Sequence, residues 1–226
     1  MGDEKCVNKA CKSDVSAQAK NRPITTVCFD LGGVLLRLRP EEYMEELGLS
    51  AAARRFFDEE ILLREDWSRL DAGELTQAEA IAKWCAKRPD LADEIRLYMK
   101  DLTRLIEMYP DSEKIVDDIK KRGYELYVLS NYPEEMFALH EKNSLPFLKQ
   151  MNGLIISARE KKVKPNADYY ELFLSRYGKK ASECVFIDDR LDNVQAARAL
   201  GFHGICATPR EQGFAELFAL LDLQEA

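Results

Sequence analysis

The chain has 226 residues, 46% hydrophobic and 32% charged. This composition excludes a wholly disordered or collagen-like polypeptide, and the length suffices to bury a core without disulfide or metal staples. Lys and Arg number 33 against 40 Asp and Glu, a formal charge of −7, which argues against nucleic acid or an anionic membrane as partner but permits a small anionic substrate.

In chain order, residues 1–22 read as a flexible polar arm. They lack the apolar stretch of an export signal, and no later run reaches the about 20 apolar residues of a membrane helix, so a cytoplasmic location is expected. Five β-branched and apolar runs follow: Ile24–Leu31, Glu125–Ser130, Gly153–Ser157, Glu183–Ile187 and His203–Ala207. Near-continuous runs of this length suit strands buried on both faces. Helical segments Asp111–Arg122, Asn166–Tyr177 and Leu191–Leu200 lie between the later runs, each closed by a glycine. The alternation predicts an α/β fold, a Rossmann-like parallel sheet with helices on both faces.

The interval between the first two runs is too long for one crossover, and its content is helical. Helices are expected over Pro40–Leu47, Ala51–Leu63, the segment opened by the capping box Thr76-Gln-Ala-Glu79, and Leu91–Met108. The organisation expected is therefore an arm (1–22), a catalytic core (23–39 and 110–226) and an inserted helical cap (40–109). Within the cap, Trp67–Glu74 reads as a loop, either an ordinary surface turn or a segment reading substrate through its aromatic, arginine and glycine. The six cysteines, Cys6, Cys11, Cys28, Cys85, Cys184 and Cys206, form no CxxC pair. With only two histidines, His140 and His203, a zinc site is not expected, and the thiols of Cys28, Cys184 and Cys206 read as buried and reduced.

Ligands of open parallel sheets bind at the carboxyl ends of the strands. Here those ends carry Asp30 with Gly32-Gly33, Ser130-Asn131, the run Lys161-Lys162-Val163-Lys164, and Asp188-Asp189. That set meets the needs of phosphoryl transfer. One carboxylate can attack phosphorus, others can hold a divalent cation such as Mg²⁺, and a lysine, a hydroxyl and glycine-freed backbone N–H groups can hold phosphate oxygens. Each motif also has a plainer reading. Asp30, Asp188, Asp189, Asp192 and Asn193 can cap helices, Ser130-Asn131 can be a turn, and Lys161 and Lys162 fit a solvated charge run.

FDLGGVLL, VLSN, KVKP and VFIDDRLDN, in that order, resemble the four motifs of the haloacid dehalogenase superfamily, and the helical insertion resembles the cap of its sugar-phosphate phosphatases, nearest the bacterial α-D-glucose-1-phosphate phosphatases. The resemblance implies a Mg²⁺-dependent phosphatase acting on a small phosphorylated metabolite, a sugar phosphate favoured, through an aspartyl phosphate. It implies Asp30 as nucleophile and Lys164 as a second catalytic residue, one that binds the phosphate with Ser130. Ser130, Asn131, Gly32 and Gly33 would bind phosphate. Asp30, the Gly32 carbonyl, Asp189 and Asp188 would bind metal, Asp188 either directly or behind a ligand. Many relatives carry an acid–base aspartate where this chain has Gly32. The missing carboxyl favours a leaving group that departs easily, such as that of a sugar 1-phosphate. The alternatives are a 2-haloacid dehalogenase and a non-catalytic protein that binds phosphate ligands. The sequence does not distinguish a monomer from a dimer.

Overall fold

A computed structural model describes residues 23–62, 64–143 and 145–223. The expected arm at 1–22, with Cys6 and Cys11, lies outside the described residues. The described residues form seven strands: β1 (Thr26–Phe29), β2 (Leu36–Leu38), β3 (Ile106–Met108), β4 (Glu125–Ser130), β5 (Gly153–Ile156), β6 (Cys184–Asp188) and β7 (His203–Cys206). Five of them make a wholly parallel sheet in the order β5-β4-β1-β6-β7.

The pleat explains why these runs are apolar throughout. Val27, Phe29, Leu126, Val128, Val185 and Ile187 point to one face, and Cys28, Tyr127, Leu129, Cys184 and Phe186 to the other. The first face is covered by α6 (Ser112–Lys121), α7 (Glu134–Asn143) and α11 (Arg210–Leu220), through Ile115, Val116, Ile119, Phe137, Phe214 and Leu217. The second is covered by α9 (Ala167–Tyr177) and α10 (Leu191–Ala199), through Tyr169, Tyr170, Phe173 and Ala197. Cys28 and Cys184 are buried free thiols as expected, whereas Cys206 is only half-buried.

The helical insertion starts and ends on a ribbon. β2 and β3 pair antiparallel, Leu36 with Met108 and Leu38 with Ile106. Between them lie α1 (Pro40–Glu46), α2 (Ala51–Phe56), α3 (Glu65–Asp71), α4 (Gln77–Lys87) and α5 (Ala92–Lys100). Their centre is aromatic: Tyr98 stacks on Phe57 at 4.1 Å and tilts against Tyr43 at 5.1 Å. The expected capping box forms, with Thr76 accepting from Glu79 N–H and the Glu79 carboxylate accepting from Thr76 N–H.

Three sequence expectations need correction. Leu91–Met108 is not one helix. It breaks at Asp101, whose carboxylate accepts from the N–H and hydroxyl of Thr103 at 3.0 and 2.6 Å, and after a 3₁₀ turn the chain becomes β3. An aspartate bonding two residues ahead competes with the helix for its backbone. The helix expected over Ala51–Leu63 is α2 followed by a π-helical turn, Phe57–Ile61, and its expected end, Leu63, lies outside the described residues. Trp67–Asp71, expected as a loop, belongs to α3.

Candidate active site

Asp30 follows the central strand, so it stands in the middle of the sheet's carboxyl edge, with the end of β4 on one side and that of β6 on the other. Its carboxylate lies 2.9 Å from Lys164 Nζ, and the same ammonium donates to Asp188 Oδ2 at 2.6 Å. All three side chains are buried. Lys164 reaches this point because Asn131 grips its backbone: Asn131 Oδ1 accepts from Lys164 N–H at 2.9 Å and Asn131 Nδ2 donates to Lys164 O at 3.0 Å. The ammonium also sits over the Phe186 ring at 5.3 Å.

Asp188 is saturated. Besides Lys164 it accepts from Arg190 N–H at 2.8 Å and from Asn193 Nδ2 at 3.0 and 3.1 Å. Asn193 therefore anchors Asp188 and does not cap α10, which starts without a side-chain cap bond. Asp192 pairs with Arg190. Asp189, half-buried, faces the cavity, and its carbonyl accepts from Thr208 Oγ1 at 2.7 Å. Gly33 has φ +68°, and a Cβ there would meet Asp189 Oδ2 at 2.5 Å. The glycine is thus required both by its backbone conformation and by the close carboxylate.

Of the residues expected in the site, Asp30, Gly32, Ser130, Asn131, Lys164 and Asp189 line one cavity. Asp188 stands behind Lys164, and Gly33 backs Asp189. The Asn131 amide is occupied in holding Lys164. Lys162 pairs with Asp168 at the surface. His140 is buried, its Nδ1 2.6 Å from Tyr132 Oη and its Nε2 3.0 Å from Leu102 O, and His203 is exposed; neither joins the site.

The electrostatics are those of an acid-rich centre. Burial, then the charges of Asp188 and Asp189, raise the Asp30 carboxyl to about 7 although Lys164 opposes them. Burial and Asp188 also push Asp189 up. Burial works against the Lys164 ammonium, but Asp188 and Asp30 together hold its pKa above the ordinary lysine value. Oxygens of Asp30, Asp188 and Asp189 all lie within 4.8 Å of one another. Three carboxylates with one ammonium, shared by Asp30 and Asp188, leave excess negative charge, and an all-oxygen donor set of this kind fits a hard divalent cation.

Of the two readings of Trp67–Glu74, the cavity-facing one holds for Trp67 and Asp71 of α3, whereas Arg69 pairs with Glu74 away from the cavity. Sequence reasoning missed the rest of the wall, Leu36, Leu38 and Ile106 of the ribbon. The placement of α3 has a visible cause. Ser157 Oγ accepts from Tyr132 N–H at 2.9 Å and donates to the Asp71 carbonyl at 2.5 Å. Gly73, at φ +65°, passes so close to the Ala158 carbonyl that a Cβ would overlap it. The glycine was visible in the sequence; its neighbour, 85 residues on in the chain, was not.

The wholly parallel sheet with helices on both faces is a Rossmann-like α/β fold with an acid-rich carboxyl edge. The chain belongs to the haloacid dehalogenase-like hydrolase family, whose model matches residues 24–201. It is 25% identical over 185 residues, 80% of this chain and 88% of the relative, to the sesquiterpene phosphatase astK of Aspergillus oryzae. It is 27% identical over 207 residues, 84% and 87%, to the (S)-2-haloacid dehalogenase 4A of Burkholderia cepacia. Among solved structures, a HAD-like hydrolase of Porphyromonas gingivalis superposes with TM-score 0.71 at 24% identity, covering 90% of this chain and 100% of that one. A HAD family enzyme of Bacteroides thetaiotaomicron, in complex with magnesium and inorganic phosphate, superposes with TM-score 0.63 at 21% identity, covering 81% and 93%. Among the described residues no helix is long and apolar enough to cross a membrane.

Proposed function

We propose that this chain is a Mg²⁺-dependent phosphoric monoester hydrolase acting on a small phosphorylated metabolite. The observation that carries the reading is the gathering of Asp30, Asp188 and Asp189 within 4.8 Å of one another at the sheet's carboxyl edge, with one buried lysine bridging Asp30 and Asp188. Asp30 attacks phosphorus, the P–O bond to the alcohol breaks, and water hydrolyses the resulting aspartyl phosphate. Lys164, held by Asn131 and Asp188, and the Ser130 hydroxyl hold the phosphoryl oxygens. Mg²⁺ held by Asp30, Asp189 and the Gly32 carbonyl would supply positive charge against the phosphoryl group. Asp188 orients Lys164. Residues 40–109 act as a cap that covers the site and excludes water.

Two observations bear on the organic part of the substrate. Trp67, Leu36, Leu38, Ile106 and Met136 line the cavity and favour a molecule with an apolar face, in keeping with the sesquiterpene phosphatase relative. The glycine at 32 favours an easily departing alcohol, which keeps a sugar 1-phosphate, and with it the glucose-1-phosphate phosphatase branch, as the second reading. Phosphate release from aryl, prenyl and sugar phosphates, with Mg²⁺ and with EDTA, tests the proposal. Release that stops in EDTA is expected. Halide release from 2-chloropropionate without phosphatase activity points instead to a dehalogenase, and ligand binding without turnover to a binding protein.

A further inference from the structure

Ester hydrolysis by the route above needs a proton at the departing oxygen and a base for the attacking water, and position 32 supplies neither. The titratable side chains lining the cavity are Asp30, Asp71, Tyr132, Lys164, Asp189 and Arg190. Five have other engagements. Asp30 is the nucleophile and Lys164 is tied to Asp30 and Asp188. Asp189 faces the cation position, Arg190 pairs with Asp192, and the Tyr132 hydroxyl bonds His140 Nδ1. Asp71 remains. Its Oδ1 is buried with no hydrogen-bond partner among the described residues. A carboxylate oxygen in that state is costly unless a ligand or a proton satisfies it.

We propose that Asp71 gives the departing oxygen its proton and then takes one from the attacking water, in place of the carboxyl absent at position 32. The proposal rests on the hydrolase reading above. In the first step the P–O electron pair passes to the leaving oxygen, which takes the Asp71 proton. In the second, water adds to phosphorus, its proton returns to Asp71, and the Asp30 carboxylate leaves. The sum is ester plus water to alcohol plus phosphate. The surroundings suit a group that must carry a proton near neutrality. Burial and the charge of Asp30 raise Asp71 to about 7, against the pull of Lys164 and Arg190. Asp71 in turn helps hold the Tyr132 phenol protonated, behind burial and Asp30 in order of effect. The Ser157 and Gly73 contacts fix the backbone that carries it. A chain with this residue has no need to restrict itself to easily departing alcohols.

The test compares kcat/KM on phenyl and p-nitrophenyl phosphate, with Mg²⁺, for wild type, Asp71→Asn and Gly32→Asp/Asp71→Asn. The expected loss in Asp71→Asn is about 10²–10⁴-fold for the phenyl ester and far smaller for the nitrophenyl ester, whose phenolate leaves without a proton. The acid-to-base limb governed by Asp71 should vanish from the pH profile. The ratio between two esters on one preparation is independent of the folded fraction, so poor folding does not blur it. Gly32 has room for a side chain, since a Cβ would meet only Leu38 Cδ1 at 3.6 Å. Partial return of phenyl phosphate turnover in the double variant supports the exchange of carboxyls. An ester ratio in Asp71→Asn equal to that of wild type overturns the role of Asp71 alone. A wild type that releases phosphate from no ester overturns the hydrolase reading beneath it.

Discussion

Gly32 and Gly33 are neighbours after the nucleophile, yet the fold constrains them differently. Gly33 is left-handed and pressed against Asp189, whereas a side chain at 32 meets only Leu38. Gly33→Ala should therefore push Asp189 aside and weaken Mg²⁺ binding about 10–100-fold, the range seen when groups around a metal's ligands are disturbed. Gly32→Ala should leave binding close to wild type. Calorimetric titration with Mg²⁺ reads both. Lys164 makes a second residue-scale case. Removing it strands Asp30 and Asp188, two buried carboxylates that share its ammonium. Lys164→Ala in EDTA should cost about 3–5 kcal/mol in a denaturant titration, and unchanged stability would contradict the charge balance described here. The sequence exposed Gly32 and Gly33 because they follow a strand end, and Lys164 because its motif follows β5, although a helical turn over Ser157–Glu160 intervenes. It could not expose Asn193 as the anchor of Asp188, since a helix-capping asparagine looks the same until the tertiary contact is known.

At the scale of elements, the five sheet strands were legible because burial on both faces leaves no polar register to confuse. α4 was legible through its capping box. Thr76→Ala should remove that box at a cost of about 1 kcal/mol, read as a lower melting temperature. β2 and β3 escaped notice because each is only three residues long and gains its meaning from the other. α3 escaped because its seven residues show one fully buried side chain, Leu70, too few for a periodic signal. Yet α3 carries Trp67 and Asp71 to the cavity. Gly73→Ala, by overlapping the Ala158 carbonyl and straining a positive φ, should move the end of α3. The expected result is a loss of kcat/KM with the Mg²⁺ affinity unchanged. A variant that loses Mg²⁺ affinity instead would show that α3 serves the cation site and not the substrate.

For the whole molecule, the acid-rich centre links stability to pH. Asp30 and Asp71 titrate near 7 in the folded chain, above the ordinary 3.8 of a free aspartate. Between those values the folded chain holds protons that the unfolded chain has released. Stability contributed by these groups is fully present below about pH 4 and is lost as pH rises through about 7. In EDTA the melting temperature should accordingly fall from pH 5 to pH 8, and Asp30→Asn should flatten the fall. Mg²⁺ should flatten it as well, because a cation favours the ionised carboxylates. A melting temperature that rises over this interval in EDTA would contradict the electrostatics assigned to the site.

The central claim is that Asp30 carries the phosphoryl group, and the most direct measurement is to catch it there. Enzyme turning over an aryl phosphate with Mg²⁺ is quenched and reduced with borohydride, which converts an aspartyl phosphate to homoserine, and the peptides are sequenced by mass spectrometry. The account predicts homoserine at position 30, with more of it in Asp71→Asn when the substrate is p-nitrophenyl phosphate, whose phenolate leaves without a proton while water attack is slowed. Sustained phosphate release with position 30 unmodified, or with the mark at Asp71 or Asp189, would contradict it.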